Sequence, residues 1–279
     1  MFPILLTIGS FHIFSFSVFL ILAWIVFSFT FWKLMRVHAI DEEHVFDLTF
    51  YATLSAFLVS RAGFVLFHRE LFADDLLRVA ALWIAPGLTL YGGLLGGLLT
   101  LVYLARSYKI RLGYVLDALA LALPSALLLG NIGSLLDGSV VGKMTNVPWA
   151  INYVGNVGKR HPVQAYEMLA LGVIIGIVLY LGGVGAKRKW PYGKIGVWFF
   201  LLYSISMFCL EFTKDSSVYW LSVSANQWIL VGVFAESLGA FYVRGGGREM
   251  IRPALVDARA RVKRVIGGVY EKFSKRSAG

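Results

Sequence analysis

Seven long apolar runs dominate this chain, and each can cross the ~30 Å of hydrocarbon in a lipid bilayer. They extend from about Phe11 to Trp32, Phe46 to Phe67, Leu88 to Leu104, Gly113 to Leu136, Val163 to Leu181, Ile195 to Phe212 and Asn226 to Val243. Only helices and closed barrels satisfy their backbone groups in lipid, and runs of this kind lack the alternation of a barrel strand. The sequence therefore predicts an all-α integral membrane protein with seven transmembrane helices. Composition agrees, since 58% of residues are hydrophobic and 15% charged, against about 45–50% and about 25% in soluble domains. Mean hydropathy is +0.72. The first run is too long for a cleavable signal peptide, and no basic segment precedes it. The single cysteine, Cys209, lies within an apolar run and is expected to be inert.

Basic residues set the expected orientation. The odd-numbered connections and the C-terminal segment hold 19 of them, the even-numbered connections six, and Arg61 lies inside a span. This places the N-terminus outside and the C-terminus in the cytoplasm. Ten of the 19 fall between Arg244 and Arg276, beside only Glu249, Asp257 and Glu271. Two regions are thus expected: a seven-helix domain over residues 1–245 and a basic cytoplasmic tail over 246–279. In the tail, Ile251 to Phe273 mixes apolar and basic residues, as a helix lying on the anionic inner leaflet would. Charge alone also suits RNA, but no recognition motif accompanies it, so no nucleic acid is expected.

The third run, LTLYGGLLGGLLTLVYL, carries two glycine pairs, Gly92-Gly93 and Gly96-Gly97. Glycine inside a helix costs about 1 kcal/mol relative to Ala, so the pairs need a reason. One is close packing against another helix, the usual use of small residues in membranes. The other is room for a bulky ligand beside Tyr91.

Ionisable groups inside spans are costly and mark functional candidates. Asp47 opens the second span and Glu236 lies in the seventh, but the informative set is Arg61, Asp117, Glu167 and Glu211, joined by Arg160 and His161 just before the fifth span. Arg61 either pairs with Glu211 or Glu167, or holds a lipid phosphate in a bidentate grip, as Arg160 also could. His161 before Pro162 suits a helix entrance as well as acid–base work. No P-loop, zinc-ligand spacing or GxSxG elbow is present, and no cofactor or metal is expected.

RHPVQAYE, Arg160 to Glu167, resembles the RHP-x-Q-x-YE motif of the bacterial prolipoprotein diacylglyceryl transferase family. Other segments match in order. SRAGFVLF (Ser60 to Phe67) is similar to GRIGYVLF, YGGLLGG (Tyr91 to Gly97) to HGGLIGG, and GNIGSLLDGSVVGK (Gly130 to Lys143) to GRLGNFINGELWGR. Asp117 stands where a DxxAP-type segment has its aspartate. LEFTK carries Glu211 at the glutamate of VEFFR, and Gln227 matches a glutamine of the last helix. The resemblance implies a seven-helix protein of the bacterial inner membrane. It implies transfer of diacylglyceryl from phosphatidylglycerol, or a related lipid, to the lipobox cysteine thiol of a preprolipoprotein. Carried over by motif, the catalytic positions are Tyr91, Asn131 and Tyr203. The lipid- and phosphate-binding positions are Arg61, Gly92, Gly93, Ser134, Gly142, Arg160, His161, Gln164, Glu167 and Glu211.

Several of these positions depart from the motif. Tyr91 replaces a histidine, Asn131 an arginine, Ser134 an asparagine and Met207 a second arginine, while Phe14-Ser15-Phe16-Ser17 replaces an HWYG-like stretch. A phenol, with its pKa of about 10, stands where a base titrating near neutrality is expected. Loss of one charge-stabilising donor typically costs about 10²–10³ in rate. Three readings follow: a divergent transferase in which Arg61, Arg160 and Tyr91 take over phosphate binding, a non-catalytic binder of lipid or lipoprotein signal segments, or a small transporter. The absence of a repeat makes the transporter the weakest.

Overall fold

The computed structural model describes residues 2–9, 11–73, 75–81, 87–215 and 219–244. The described residues form seven long helices: α1 (Ser15–Arg36), α2 (Glu42–Phe67), α3 (Leu90–Ser107), α4 (Leu112–Asp137), α5 (Val163–Lys187), α6 (Lys194–Glu211) and α7 (Ala225–Arg244). Among the described residues, six helices, α1 to α6, are long and apolar enough to cross a membrane. α7 has the length but carries Asn226, Gln227 and Glu236. The expected basic tail, residues 246–279, lies outside the described residues.

The first expected span begins four residues early. Before the helix, β1 (Ile4–Ile8) pairs antiparallel with β2 (Phe11–Phe14) as a hairpin, and α1 starts at Ser15. The hairpin is pinned because Phe2 N–H donates to Leu136 O (2.9 Å) and Ser15 N–H to Pro3 O (2.9 Å). The apolar strand β2 leads directly into α1 and so lengthened the apolar run of the helix, while the chain turns at Gly9, where φ is +62°.

α4 is the hub. It packs on α1, α5 and α6, while α3 lies along α2 and α7 along α6. One core joins α1, α2, α3 and α4 through Phe31, Leu48, Leu101 and Val115. A second joins α3, α4, α5, α6 and α7 through Tyr91, Ala120, Leu171, Phe199 and Leu230. The outward faces remain apolar and exposed, as Ile21, Phe29, Phe50, Leu99 and Leu169 show. Such faces suit contact with lipid.

Two joints hold the helices. At one end, Asp117 of α4 accepts from Gly193 N–H (2.7 Å) and Gly196 N–H (2.8 Å), capping α6 at its N-terminus. Gly113 and Gly196 permit this approach, since a Cβ on either would come within 2.6 Å of backbone atoms on the facing segment. Asp117 is thus a helix cap. At the other end, the glycine face of α3 meets α2. A Cβ on Gly96 would lie 2.7 Å from Val59 Cβ and 2.8 Å from Ser55 O, and one on Gly92 would lie 2.4 Å from Thr89 Oγ1 and 3.0 Å from Val59 O. The close contact of Gly92 and Gly96 with α2 is what the close-packing reading expects. Gly97 is looser, its Cβ meeting Ala52 O and Ala56 Cβ at 3.5 Å.

Gly96→Ala is therefore expected to cost about 1–3 kcal/mol by overpacking, whereas Gly97→Ala leaves stability nearly unchanged. Thermal unfolding of both variants in detergent checks this, and equal shifts would refute the close contact at Gly96.

Candidate functional site

At the end of the bundle where α4 and α6 finish, residues 138–162 and 212–215 pair with one another. Residues 141–145 run between two others in extended pairing. Lys143 N–H donates to Thr213 O (2.8 Å) and Asp215 N–H to Val141 O (3.0 Å) on one side, and His161 N–H to Lys143 O (3.1 Å) on the other. Bridges pair Gly142 with Lys214 and Met144 with Arg160. Only glycine fits at 142, because a Cβ there would lie 2.2 Å from His161 O.

This pairing delivers Lys214 to the bundle interior. Its Nζ lies 2.6 Å from Glu167 Oε1 on α5 and 2.9 Å from Glu211 Oε2 on α6. The Lys214, Glu167 and Glu211 side chains are 12%, 9% and 0% exposed. Glu211 Oε1 also accepts from Asn226 Nδ2 (2.7 Å) and Ser224 Oγ (3.4 Å). Burial opposes the charge on Lys214, but the two carboxylates outweigh it and push its pKa above that of an ordinary lysine. Lys214 therefore stays protonated throughout the neutral range. Ser224 and Gln227 fix the start of α7 as a capping box: Gln227 N–H donates to Ser224 Oγ (3.2 Å) and Ser224 N–H to Gln227 Oε1 (2.9 Å).

Tyr91 of α3 and Tyr203 of α6 border the triad. Both are buried, they share a core cluster with Leu171 and Met207, and their phenols interact with each other and with Glu167 and Glu211. The arrangement joins hydroxyl donors to a buried acid–base triad of net charge −1. It can donate hydrogen bonds to an anionic ligand and accept a proton from one.

The other predicted positions fall into two groups. Gln164 anchors the 138–162 loop, donating through Nε2 to Val140 O (2.7 Å) and Ser134 O (3.3 Å) and accepting from Tyr153 Oη (2.8 Å). Ser134 Oγ lies 3.0 Å from Ser139 Oγ. His161 Nδ1 lies 3.1 Å from Tyr166 Oη, which accepts from Trp149 Nε1 at 2.6 Å. Arg160 donates through Nη1 to Gly142 O (3.1 Å) and Asp215 Oδ2 (2.8 Å), and its buried Nε has no partner among the described residues. Asn131, on α4 one turn before Ser134, makes no side-chain hydrogen bond among the described residues.

Arg61, Gly92 and Gly93 form the second group, at the α2–α3 joint. Of the two readings of Arg61, the pairing with Glu211 or Glu167 does not form, and Lys214 holds both acids. Arg61 instead donates to Val79 O (2.8 Å), Arg78 O (2.9 Å) and Gly87 O (3.0 Å), between the rings of Phe64 and Phe72. It closes the 68–89 loop.

Lys214 and Asn226 escaped the reading of the sequence. Lys214 is one of the six basic residues of the even-numbered connections, yet it lies three residues after Glu211, where a helix end brings the two together. Removing one partner from a buried ion cluster costs about 3–5 kcal/mol. Lys214→Met is expected to lower stability by that order, and the triple variant with Glu167→Gln and Glu211→Gln to recover part of it. Thermal unfolding of the two purified proteins tests the expectation, and an unaffected single variant would refute it.

Comparison with known proteins completes the picture. A family model described as prolipoprotein diacylglyceryl transferase matches residues 3–243. The chain is 33% identical over 179 residues to a phosphatidylglycerol–prolipoprotein diacylglyceryl transferase of Geobacter sulfurreducens, covering 63% of this chain and 67% of that protein. It is 29% identical over 243 residues to the protein of the same name in Polynucleobacter necessarius, covering 82% and 90%. A match through every helix described above, with six of those helices able to cross a bilayer, shows that this multi-pass membrane protein belongs to the prolipoprotein diacylglyceryl transferase family.

Proposed function

We propose that this chain transfers a diacylglyceryl group from phosphatidylglycerol to the cysteine thiol of a lipobox-containing preprolipoprotein, in the bacterial inner membrane. The observation that carries the reading is the buried Glu167–Lys214–Glu211 triad beside Tyr91 and Tyr203, within a chain that matches the family from residue 3 to 243. In the transfer, the thiol sulfur bonds to the glycerol carbon as the bond from that carbon to the phosphate oxygen breaks. The electron pair leaves on glycerol phosphate, and the thiol proton goes to a carboxylate, for which Glu167 is placed. The remaining N–H of Lys214 and the two phenols stabilise the departing phosphate. Arg160, whose buried Nε has no partner among the described residues, keeps one donor uncommitted close to this cluster.

Seven crossings with the N-terminus outside set this cluster near the outer leaflet, a topology supported by the 19-to-6 division of basic residues. The basic tail would then lie on the anionic inner leaflet.

A second reading has its own support. Arg61 is held by three carbonyls, Arg160 faces Asp215, and the triad is net negative, which is poor ground for a phosphate. A non-catalytic binder of lipid or lipoprotein signal segments would tolerate that electrostatics.

A mass-shift assay separates the two. Purified protein is mixed with phosphatidylglycerol and a lipobox peptide, with the cysteine-to-serine peptide as control. A diacylglyceryl-sized gain on the cysteine peptide alone is expected, and Glu167→Gln should slow it about 10²-fold or more as the general base is lost. Retained binding without any gain would refute transfer and leave the binder.

A further inference from the structure

The outermost helix carries an acid that the site does not use. α7 packs on α6 through Leu230 and Ser237, both buried, and through the edge contact of Phe241 with Trp198. Its opposite stripe, Gly232, Ala235, Glu236 and Gly239, is exposed. A Cβ on Gly232 or Gly239 would meet nothing within 4 Å, so the stripe is an open groove with Glu236 at its centre. Among the described residues, neither a cation nor a hydrogen-bond donor touches the Glu236 carboxylate.

Depth makes this carboxylate costly. Glu236 lies about 17 Å along the axis from Ala225 and about 12 Å from Arg244. Resting on the reading that α7 crosses the bilayer, this is near mid-membrane, on the lipid-facing side. Ionisable groups at that depth are expected to face a partner or an aqueous cavity.

We infer that the outer face of α7 docks a transmembrane helix of another protein, and that this helix carries a basic side chain near its own centre. The two glycines let a second backbone approach closely, which is how membrane helices associate without a hydrophobic driving force. The acid between them selects the partner by charge. A second copy of this chain fits less well. Away from the helix ends, Arg61 is the one Lys or Arg in the spans read from the sequence, and it is buried against three carbonyls. A copy would therefore bring another Glu236 and no cation.

The test uses the full chain in liposomes, with energy transfer from its tryptophans to acceptor-labelled polyleucine peptides that span the bilayer. One peptide has a central lysine and the other a central leucine. The lysine peptide is expected to bind about tenfold more tightly. Glu236→Leu should erase that preference, and Gly232→Leu with Gly239→Leu should weaken association by blocking the groove. Equal binding of the two peptides, or a preference that survives Glu236→Leu, would overturn the inference. So would Glu236-dependent energy transfer between copies of the chain, which assigns the face to self-association. A Cys209→Ser, Glu236→Cys chain treated with a water-borne maleimide checks the span. A protected thiol together with equal peptide binding rejects the docking face alone, whereas rapid labelling removes α7 from the bilayer and both statements with it.

Discussion

One ammonium placed between two carboxylates organises this protein. Lys214 arrives from a loop, Glu167 from α5 and Glu211 from α6, so the ion cluster ties together three segments that are distant in sequence. Burying such charges is expensive unless each is partnered. Here Asn226 and Ser224 supply further donors to Glu211, which extends the cluster to the start of α7. The loop pairing around Gly142 and the capping box at Ser224 follow from the same need, because both aim polar groups at this point.

The family scaffold and the altered motif positions make sense together in these terms. Tyr91 and Met207 sit in one apolar cluster with Tyr203 and Leu171, so the places where the motif has histidine and arginine are packed here. The charge that remains is the triad, of net −1. Arg61 and Arg160 keep their motif places but act on backbone carbonyls and Asp215. In the transfer we propose, the donors left for a phosphate are Lys214, the two phenols and Arg160.

Much of this was legible in the chain. The seven apolar runs locate the long helices to within a few residues, because hydrophobicity over ~20 residues is a strong signal in a membrane protein. Glu167 and Glu211 were recognisable because charge in such runs is rare. The hairpin of β1 and β2 was not, since the apolar β2 runs straight into α1 and reads as the start of the first run. Gly92 and Gly96 offered two readings that only the position of α2 could separate. Lys214 was hidden by its place in a connection, and the fate of Arg61 by carbonyls, which sequence cannot rank against carboxylates.

The burial of the triad has a consequence for the protein's surroundings. Mobile ions screen exposed charges but barely reach buried ones. The exposed pair Arg36–Glu42, whose side chains are 60% and 63% accessible, weakens as salt rises. The triad, almost closed to water, keeps its field whatever the ionic strength outside. A cell that passes between dilute and saline media would thus carry the same electrostatics at this centre through both.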